Sequence, residues 1–405
     1  MVKFVKKGNK ILLVEPNLYY RAQTENNSEK KSVEQAFAKS VIFGFEIIET
    51  NEEHYLIDFT PFLLYDRHGV AKRLRDLKQG SYKVDKSKSA IEIFNTKAFP
   101  ENVEFEALLT FSGEAKGSMI RSVAPDPDNV SVVQHHSFIK LPDNNYQPRK
   151  FDPRSGAISI SFMDYSTPID KPITKKFVIR HRLEKKNPEL EISEAVEPII
   201  YYLDPGTPEP VKSALLDGGK WWNQAYESIG FKDAFQVKML PEGADPLDCR
   251  YNVIQWVHRS TRGWSYGASV VDPRTGEIIK GHVSLGSLRI RQDYMIAQAL
   301  TNEPFASENN NNEMMELAIS RIRQLSAHEI GHTIGFAHNF AASANDRASV
   351  MDYPHPLVNL IDDEIVFEDA YDTGIGDWDK VTVAYSYSDF RSDQNEDFEL
   401  NKILE

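Results

Sequence analysis

The chain has 405 residues, which is enough for two or three domains that each bury their own core. With 41% hydrophobic and 26% charged residues, its composition is that of an ordinary globular protein, and the net charge of −13 argues against a nucleic-acid partner. The single cysteine, Cys249, excludes an intramolecular disulfide and a cysteine-rich zinc site, and we expect it to be a small buried residue.

The amino-terminal stretch, residues 1–16, carries basic residues but has neither a sustained apolar run nor a cleavage site. It is therefore not expected to be a signal peptide. No window has an apolar run long enough for a transmembrane helix, so we expect no membrane insertion within this chain.

Residues 1–190 are predicted to form a β-rich domain. Runs rich in β-branched and aromatic residues alternate with turn-forming residues, and helices are predicted near 34–43 and 70–78. The runs include KILLVEP, AIEIFN, VEFEALLTFSG, VSVVQHHSFIKL and AISISFMDYS. The charged segment 182–194 is nearly free of large apolar residues, which places the predicted domain boundary there. His135 and His136 are adjacent, so on a strand they face opposite sides of the sheet and cannot easily share a metal ion.

Residues 191–405 are predicted to form a second domain with more helix, which makes the fold class α+β. A strand at 198–204 is followed by a helical segment at 205–231, in which Val211, Leu215, Trp222 and Ala225 share one face. Further predicted elements are the strands FQVKML, YNVIQWVHRS, ASVVDP and EIIKGHVSLGS and the helices 290–300, 313–336 and 376–387. The polar run 303–312 is expected to be a loop beside the cleft, and the acidic tail is expected to fray.

The sequence HEIGHTIGFAH, residues 328–338, contains a set of side chains that suits a metal ion. On a helix, His328 and His332 lie one turn apart and point the same way, so both can bind one ion, for which neutral imidazoles favour Zn²⁺. Glu329 follows the first ligand and can take a proton from a water on the metal. Glycine ends helices at low steric cost, so Gly335 is the expected end of this helix, after which a sharp turn can bring His338 back as the third ligand.

This motif, followed by Ser-Val-Met-Asp-Tyr at 349–353, resembles the metzincin clan of zinc endopeptidases. The resemblance implies that His328, His332 and His338 bind Zn²⁺ and that Glu329 is the general base. It also implies that Met351 lies beneath the metal. Tyr353 matches the tyrosine of the astacin and serralysin branches, in which it is a mobile zinc ligand that stabilises the reaction intermediate.

The whole chain resembles large bacterial zinc-dependent metalloproteases, in which a β-rich domain precedes a metzincin domain. That resemblance rests on KILLVEPNLYYRA, on the segment 202–231 and on the zinc motif. It implies a secreted or cell-envelope protein, and because members of this family extend further past the methionine turn, it suggests that the second domain is truncated here. It also implies an edge strand that pairs with extended substrate, for which Gly267, Ala268 and Ser269 are the candidates.

Three classes of function remain open on this basis. The first is a zinc endopeptidase that acts on proteins or peptides. The second is a zinc amide hydrolase that acts on cell-wall peptide or another non-protein substrate with the same residues. The third is an inactive binding or scaffolding protein that retains a zinc site, although zinc binding alone would not require Glu329. The β-rich domain shows no catalytic set and would serve as a scaffold, a substrate platform or a cover over the cleft.

Overall fold

The computed structural model of the protein describes residues 1–52, 54–259, 264–300, 311–391 and 393–405. They form two compact units, Met1–Leu141 and Pro142–Glu405. Among these residues, no helix combines the length and the apolar character that crossing a membrane requires. The polar run predicted as a loop at 303–312 lies largely outside the described residues.

The described residues of the first unit form mainly antiparallel strands, with short α-helices between them. The strands are β1 (Lys3–Lys7), β2 (Lys10–Glu15), β3 (Tyr20–Arg21), β4 (Ser40–Asn51), β5 (His54–Ile57), β6 (Gly80–Val84), β7 (Ala90–Ile91), β8 (Lys97–Ala98), β9 (Asn102–Ala115) and β10 (Asn129–Ile139). The helices are α1 (Asn27–Ala36), α2 (Thr60–Leu63), α3 (Val70–Asp76) and α4 (Ser118–Val123).

Two sheets organise this unit. One has the strand order β1-β2-β4-β5, and the other is built around the long strand β9, which pairs with β10 on one edge and with β6, β7 and β8 on the other. Leu13, Phe45, Phe62 and Leu109, which come from both sheets and from α2, are buried in one hydrophobic cluster. The predicted β-rich character of this region is confirmed.

The helix predicted near 34–43 is displaced in the structure. The side chain of Asn26 caps the start of α1, which ends at Ala36, and β4 begins at Ser40. The run Val41–Phe43 is β-branched and aromatic, so it favours the strand over a continued helix. The helix predicted near 70–78 is confirmed by α3.

The second unit contains the remaining strands and helices. The strands are β11 (Ser159–Asp164), β12 (Thr174–Val178), β13 (Ser193–Glu194), β14 (Ile199–Leu203), β15 (Phe231–Lys232), β16 (Phe235–Met239), β17 (Asn252–Val257), β18 (Tyr266–Val271), β19 (Ile278–Gly286), β20 (Asn359–Ile361) and β21 (Glu364–Val366). The helices are α5 (Val211–Lys220), α6 (Trp222–Ser228), α7 (Leu288–Leu300), α8 (Asn311–Thr333), α9 (Asp377–Tyr387) and α10 (Glu396–Ile403).

A five-stranded sheet forms the centre of the second unit. Its strand order is β16-β14-β17-β19-β18, with parallel pairing between the first four strands and antiparallel pairing of β18 with β19. The predicted helical segment 205–231 is confirmed as α5 and α6, and its expected apolar face, including Leu215 and Trp222, is fully buried. Strand β18 lies at one end of this strand order, so it forms an edge of the described sheet.

The second unit begins earlier in the chain than the predicted boundary near residue 190. The backbone N–H of Ile158 donates to the carbonyl of Gly335 over 2.7 Å, and that of Ala337 donates to the carbonyl of Gly156 over 2.9 Å. These bonds join residues far apart in sequence, so the local composition from which the boundary was predicted does not reveal them. The charged stretch 182–194 consequently falls inside the second unit.

The acidic tail, which was expected to fray, includes the helix α10 within the described residues. Asn395 caps α10 by accepting a hydrogen bond from the backbone N–H of Phe398, and Leu400 on this helix is buried. Cys249 is buried, as predicted.

The adjacent histidines on β10 have opposite environments. His136 lies beside the ring of Phe62, and burial lowers its pKa to about 4. The Nε2 of His135 lies 2.6 Å from a carboxylate oxygen of buried Glu104, and this hydrogen bond raises the pKa of His135. The charged form of His135 is therefore stabilised by folding.

We predict that His135→Gln costs about 1 kcal/mol of stability at pH 6 and less at pH 9. Because folding raises the pKa of His135, its stabilising contribution is complete below the pKa of the unfolded state. That contribution is lost as the pH rises through the pKa of the folded state. Chemical unfolding of the wild type and the variant at both pH values measures it, with exposed His54→Gln as the control. A destabilisation that is equal or larger at pH 9 would contradict this assignment.

Candidate metal centre

Helix α8 carries the first two histidines of the motif and is anchored by its apolar stripe. Met314, Leu317, Ile322 and Leu325 on this stripe are all buried, as the periodicity predicted. The stripe holds the helix against the core of the unit, so the rings of His328 and His332 have a rigid base.

The end of α8 is a turn that requires glycine. Gly335 has a φ of 102°, its N–H donates to the carbonyl of His332, and the N–H of Phe336 donates to the carbonyl of Gly331. This pattern is a Schellman motif. A Cβ at Gly335 would lie 1.9 Å from the carbonyl oxygen of Ile179, so both the backbone angle and the close approach exclude a side chain there.

Hydroxyl groups satisfy the carbonyls that the end of the helix leaves without intrahelical partners. Tyr387 donates to the carbonyl of Ile334 over 2.7 Å, while Ser269 and Tyr201 donate to that of Thr333 over 2.7 and 3.2 Å. Because the last carbonyls of a helix need partners when buried, these bonds fix the position of the turn.

The turn brings the three histidines of the motif together. Their candidate ligand atoms all lie within 4.8 Å of one another, and the Nε2 atoms of His332 and His338 are 3.0 Å apart. In the described part of the chain, these residues are the one group of three or more potential ligands that could hold a metal ion.

Backbone carbonyls determine the tautomer of the two histidines on α8. The Nδ1 of His328 lies 2.8 Å from the carbonyl of Val350, and that of His332 lies 2.8 Å from the carbonyl of Phe336. A carbonyl only accepts, so each Nδ1 carries the proton and each Nε2 presents its lone pair. The buried Nε2 of His328 has no hydrogen-bond partner among the described residues, as expected of an atom reserved for a ligand.

Partial or complete removal from water favours the neutral form of all three imidazoles. It lowers the pKa of His328 to about 3 and lowers the pKa values of His332 and His338 as well. Neutral imidazole is the form that binds metal. Three nitrogen ligands with an open side fit a catalytic Zn²⁺ site.

The acid of the motif, Glu329, directly follows His328 on α8. Its side chain is buried, and the backbone N–H of Gly267 on β18 donates to its carboxylate. Burial raises the pKa of Glu329 to about 7, against the opposing charge of Arg321. A carboxyl group with a pKa near neutrality can both accept and return a proton.

The three residues proposed from the edge strand have different positions. Gly267 contacts α8, because a Cβ there would lie 2.0 Å from the carbonyl of Glu329, and the hydroxyl of Ser269 bonds to Thr333. Ala268 is exposed. The close backbone approach that we expected glycine to allow is thus made by α8, and a role in substrate binding stays a prediction for the exposed edge of β18.

The methionine turn places Met351 and Tyr353 on different sides of the site. Met351 is buried against α8, where a Cβ on Gly331 would lie 2.2 Å from its sulfur. The ring of Tyr353 lies 4.5 Å from that of His338 and 5.0 Å from that of His328. Tyr353 is 52% exposed, so its side chain is accessible from solvent.

The sequence analysis missed two features of the site. Phe340 is 61% exposed, and its ring lies 5.5 Å from that of His338, so an apolar surface borders the open side. Asp379 in α9 is buried and bonds to the methionine turn, and burial raises its pKa to about 6. A capping role could have been inferred from an acid in the first turn of the predicted helix 376–387, but only the tertiary structure shows that the carboxylate also reaches the methionine turn.

We predict that Gly335→Ala weakens the site far more than the same substitution at another glycine whose backbone is left-handed. The added methyl group meets the carbonyl of Ile179, whereas a Cβ at Gly243, which has a φ of 77°, meets nothing within 4 Å. Gly243→Ala should cost about 1 kcal/mol, and Gly335→Ala should cost at least about 2 kcal/mol more and lower the zinc content. Chemical unfolding and zinc analysis of both variants measure this, and equal effects would contradict the turn's role.

Comparison with known protein families agrees with this geometry. Residues 310–405 match a family model described as Met-zincin, and residues 1–186 match one described as a domain of unknown function, DUF5117. The second match ends near the boundary predicted from the sequence. A search of curated proteins gave no match. Together with the three-histidine cluster, the first match identifies a metzincin-type zinc metallopeptidase domain in the carboxyl-terminal part of this chain.

Proposed function

We propose that the protein is a zinc-dependent endopeptidase that hydrolyses peptide bonds in proteins or peptides. The observation that carries this proposal is the set of contacts of Glu329. Its carboxylate accepts from the N–H of Gly267. Burial and the charge of Glu329 raise the pKa of Tyr353, whose ring lies against those of His328 and His338. A site that only bound zinc would have no use for this buried acid, whose burial opposes its ionisation.

His328, His332 and His338 would hold the Zn²⁺, which when bound lowers the pKa of a water and polarises a carbonyl. Glu329 accepts the proton of the attacking water and passes it to the leaving amine. Its pKa of about 7 suits both transfers, because the best acid–base catalysts titrate near the working pH.

Tyr353 would donate a hydrogen bond to the oxygen that becomes negatively charged as water adds to the carbonyl. Burial raises the pKa of its phenol, so the hydroxyl is protonated at neutral pH and can donate. Its exposure leaves the side chain room to approach a substrate.

The exposed edge of β18 supports a polypeptide substrate. This strand has a neighbour only on the β19 side in the described sheet, and it runs directly beside Glu329. An extended peptide can add to such an edge through backbone hydrogen bonds, which carry no side-chain requirement. We propose that residues 267–269 contribute these bonds.

A secreted or cell-envelope location is part of the proposal and is supported by the family resemblance alone. Two alternatives use the same residues differently. A zinc amide hydrolase for cell-wall peptide would share the whole site, so a screen of peptide and non-peptide amides separates it from an endopeptidase. The buried Glu329 argues against a scaffold with an inactive site, because zinc binding alone does not require this acid.

We predict that Glu329→Gln keeps zinc and lowers cleavage of a quenched peptide or casein at least 100-fold. Glutamine preserves the shape of the side chain but accepts no proton, and general bases contribute about 10²- to 10⁴-fold. Zinc analysis and initial rates on the same preparations measure both effects, and o-phenanthroline followed by added zinc tests whether activity depends on the metal.

Glu316→Gln is the matched control, because Glu316 is an exposed acid on the same helix. It should retain wild-type zinc and activity. Full activity in Glu329→Gln would contradict the proposed mechanism. Inactivity of the zinc-loaded wild type toward all protein and peptide substrates would contradict the endopeptidase assignment.

We further predict that Tyr353→Phe lowers kcat at least tenfold, because a hydrogen-bond donor to a developing oxyanion is worth that much or more. Steady-state kinetics of the wild type and the variant measure it, with exposed Tyr65→Phe in the first unit as the control. A loss smaller than about threefold would argue against the role of the hydroxyl.

A further inference from the structure

The two histidines on α8 are held in place by different parts of the chain. His332 bonds to the carbonyl of Phe336 in its own turn, whereas His328 bonds to the carbonyl of Val350 in the methionine turn. The side chain of Gln324, one helical turn before His328, also donates to the Val350 carbonyl, over 3.0 Å. The orientation of the His328 ring therefore depends on where this carbonyl lies.

A single carboxylate fixes the backbone around that carbonyl. One oxygen of Asp379 accepts from the N–H groups of Val350 and Gly376 over 2.8 and 2.9 Å, and the other accepts from the hydroxyl of Ser349 over 2.6 Å. Asp379 itself is only 2% exposed. Charge-assisted bonds of this kind are strong where water is excluded.

The turn is also bonded internally and to the segment after the third histidine. The hydroxyl of Ser349 accepts from the N–H of Met351 over 3.0 Å, and the carbonyl of Met351 accepts from the N–H of Asn339 over 2.9 Å. Asn339 directly follows His338. Displacing Asp379 would therefore disturb the bonds that reach His328 and the residue that follows His338.

We propose that Asp379 is a positioning residue that sets the affinity of the site for zinc by fixing the Val350 carbonyl that orients His328. This inference rests on the proposed zinc site and adds to it a determinant 51 residues beyond the first histidine in the chain. Partners that orient a metal-binding histidine typically alter metal affinity 10- to 100-fold when they are lost.

A role in folding alone would have a different outcome. If Asp379 only stabilised the start of α9, its loss would lower the melting temperature, but the folded variant would bind zinc like the wild type. If it positions His328, the folded variant would bind zinc more weakly and in an altered geometry. Zinc affinity at 25 °C and the absorption bands of bound Co²⁺ distinguish these two roles.

Asp379→Asn is the primary test. A carboxamide carries no charge, and its NH2 group cannot accept from the Ser349 hydroxyl, so the variant loses that bond and the charge assistance of the bonds to Val350 and Gly376. We expect the zinc Kd, measured by competition with a chromogenic chelator on protein shown to be folded by circular dichroism, to rise about tenfold. The d–d bands of the Co²⁺-loaded variant should change in position or intensity.

Asp377→Asn is the matched control on the same helix. Asp377 is 91% exposed and pairs with Lys380, so its substitution should leave the zinc Kd and the Co²⁺ spectrum unchanged. An effect of Asp377→Asn as large as that of Asp379→Asn would overturn the inference, because the loss would then follow from the charge of the helix and not from the contact with the turn.

Ser349→Ala keeps the test decisive if Asp379→Asn does not fold. It removes the hydroxyl bridge to Asp379 but leaves the two backbone bonds, so its zinc Kd should lie between those of the wild type and Asp379→Asn. An unchanged zinc Kd and Co²⁺ spectrum in every folded variant would overturn the inference. Failure of the wild type itself to bind zinc would instead contradict the proposed function.

Discussion

The candidate site depends on one backbone constraint, the left-handed turn at Gly335 that ends α8. On a continued helix, His338 would lie about 9 Å beyond His332 along the axis and point to a different side. The turn reverses the chain instead and brings the two Nε2 atoms within 3.0 Å. The hydroxyls of Tyr387 and Ser269 bond to the carbonyls exposed by this ending, so strands and helices distant in sequence hold the turn in place.

Burial prepares the two chemical roles in the site by opposite effects on pKa. Transfer from water penalises the charged form of any group, so it lowers the pKa of His328 and raises that of Glu329. The histidines are thereby left neutral and able to bind a cation, while the acid can exchange a proton near neutral pH. Burial at the carboxyl-terminal end of α8 thus serves both metal binding and proton transfer.

The features that the sequence predicted are local along the chain. The ligand spacing, the glycine that ends α8 and the apolar faces of α5 and α8 follow from periodicity over a few residues. The sequence did not reveal contacts between distant segments, such as those of Asp379 with the methionine turn or of Gly156 and Ile158 with the end of the zinc motif. Gly267 is a further example. A glycine in a strand predicted that another backbone approaches closely, but the sequence did not show that this backbone belongs to α8.

The proposed site requires that three histidines share one zinc ion, and X-ray absorption at the zinc edge of the loaded protein tests this directly. We predict four light ligands, with the multiple-scattering pattern of three imidazoles at about 2.0–2.1 Å and one oxygen. Substitution of His338 by alanine should remove one imidazole from that pattern. A sulfur ligand, or two imidazoles in the wild type with no change in the variant, would contradict the account.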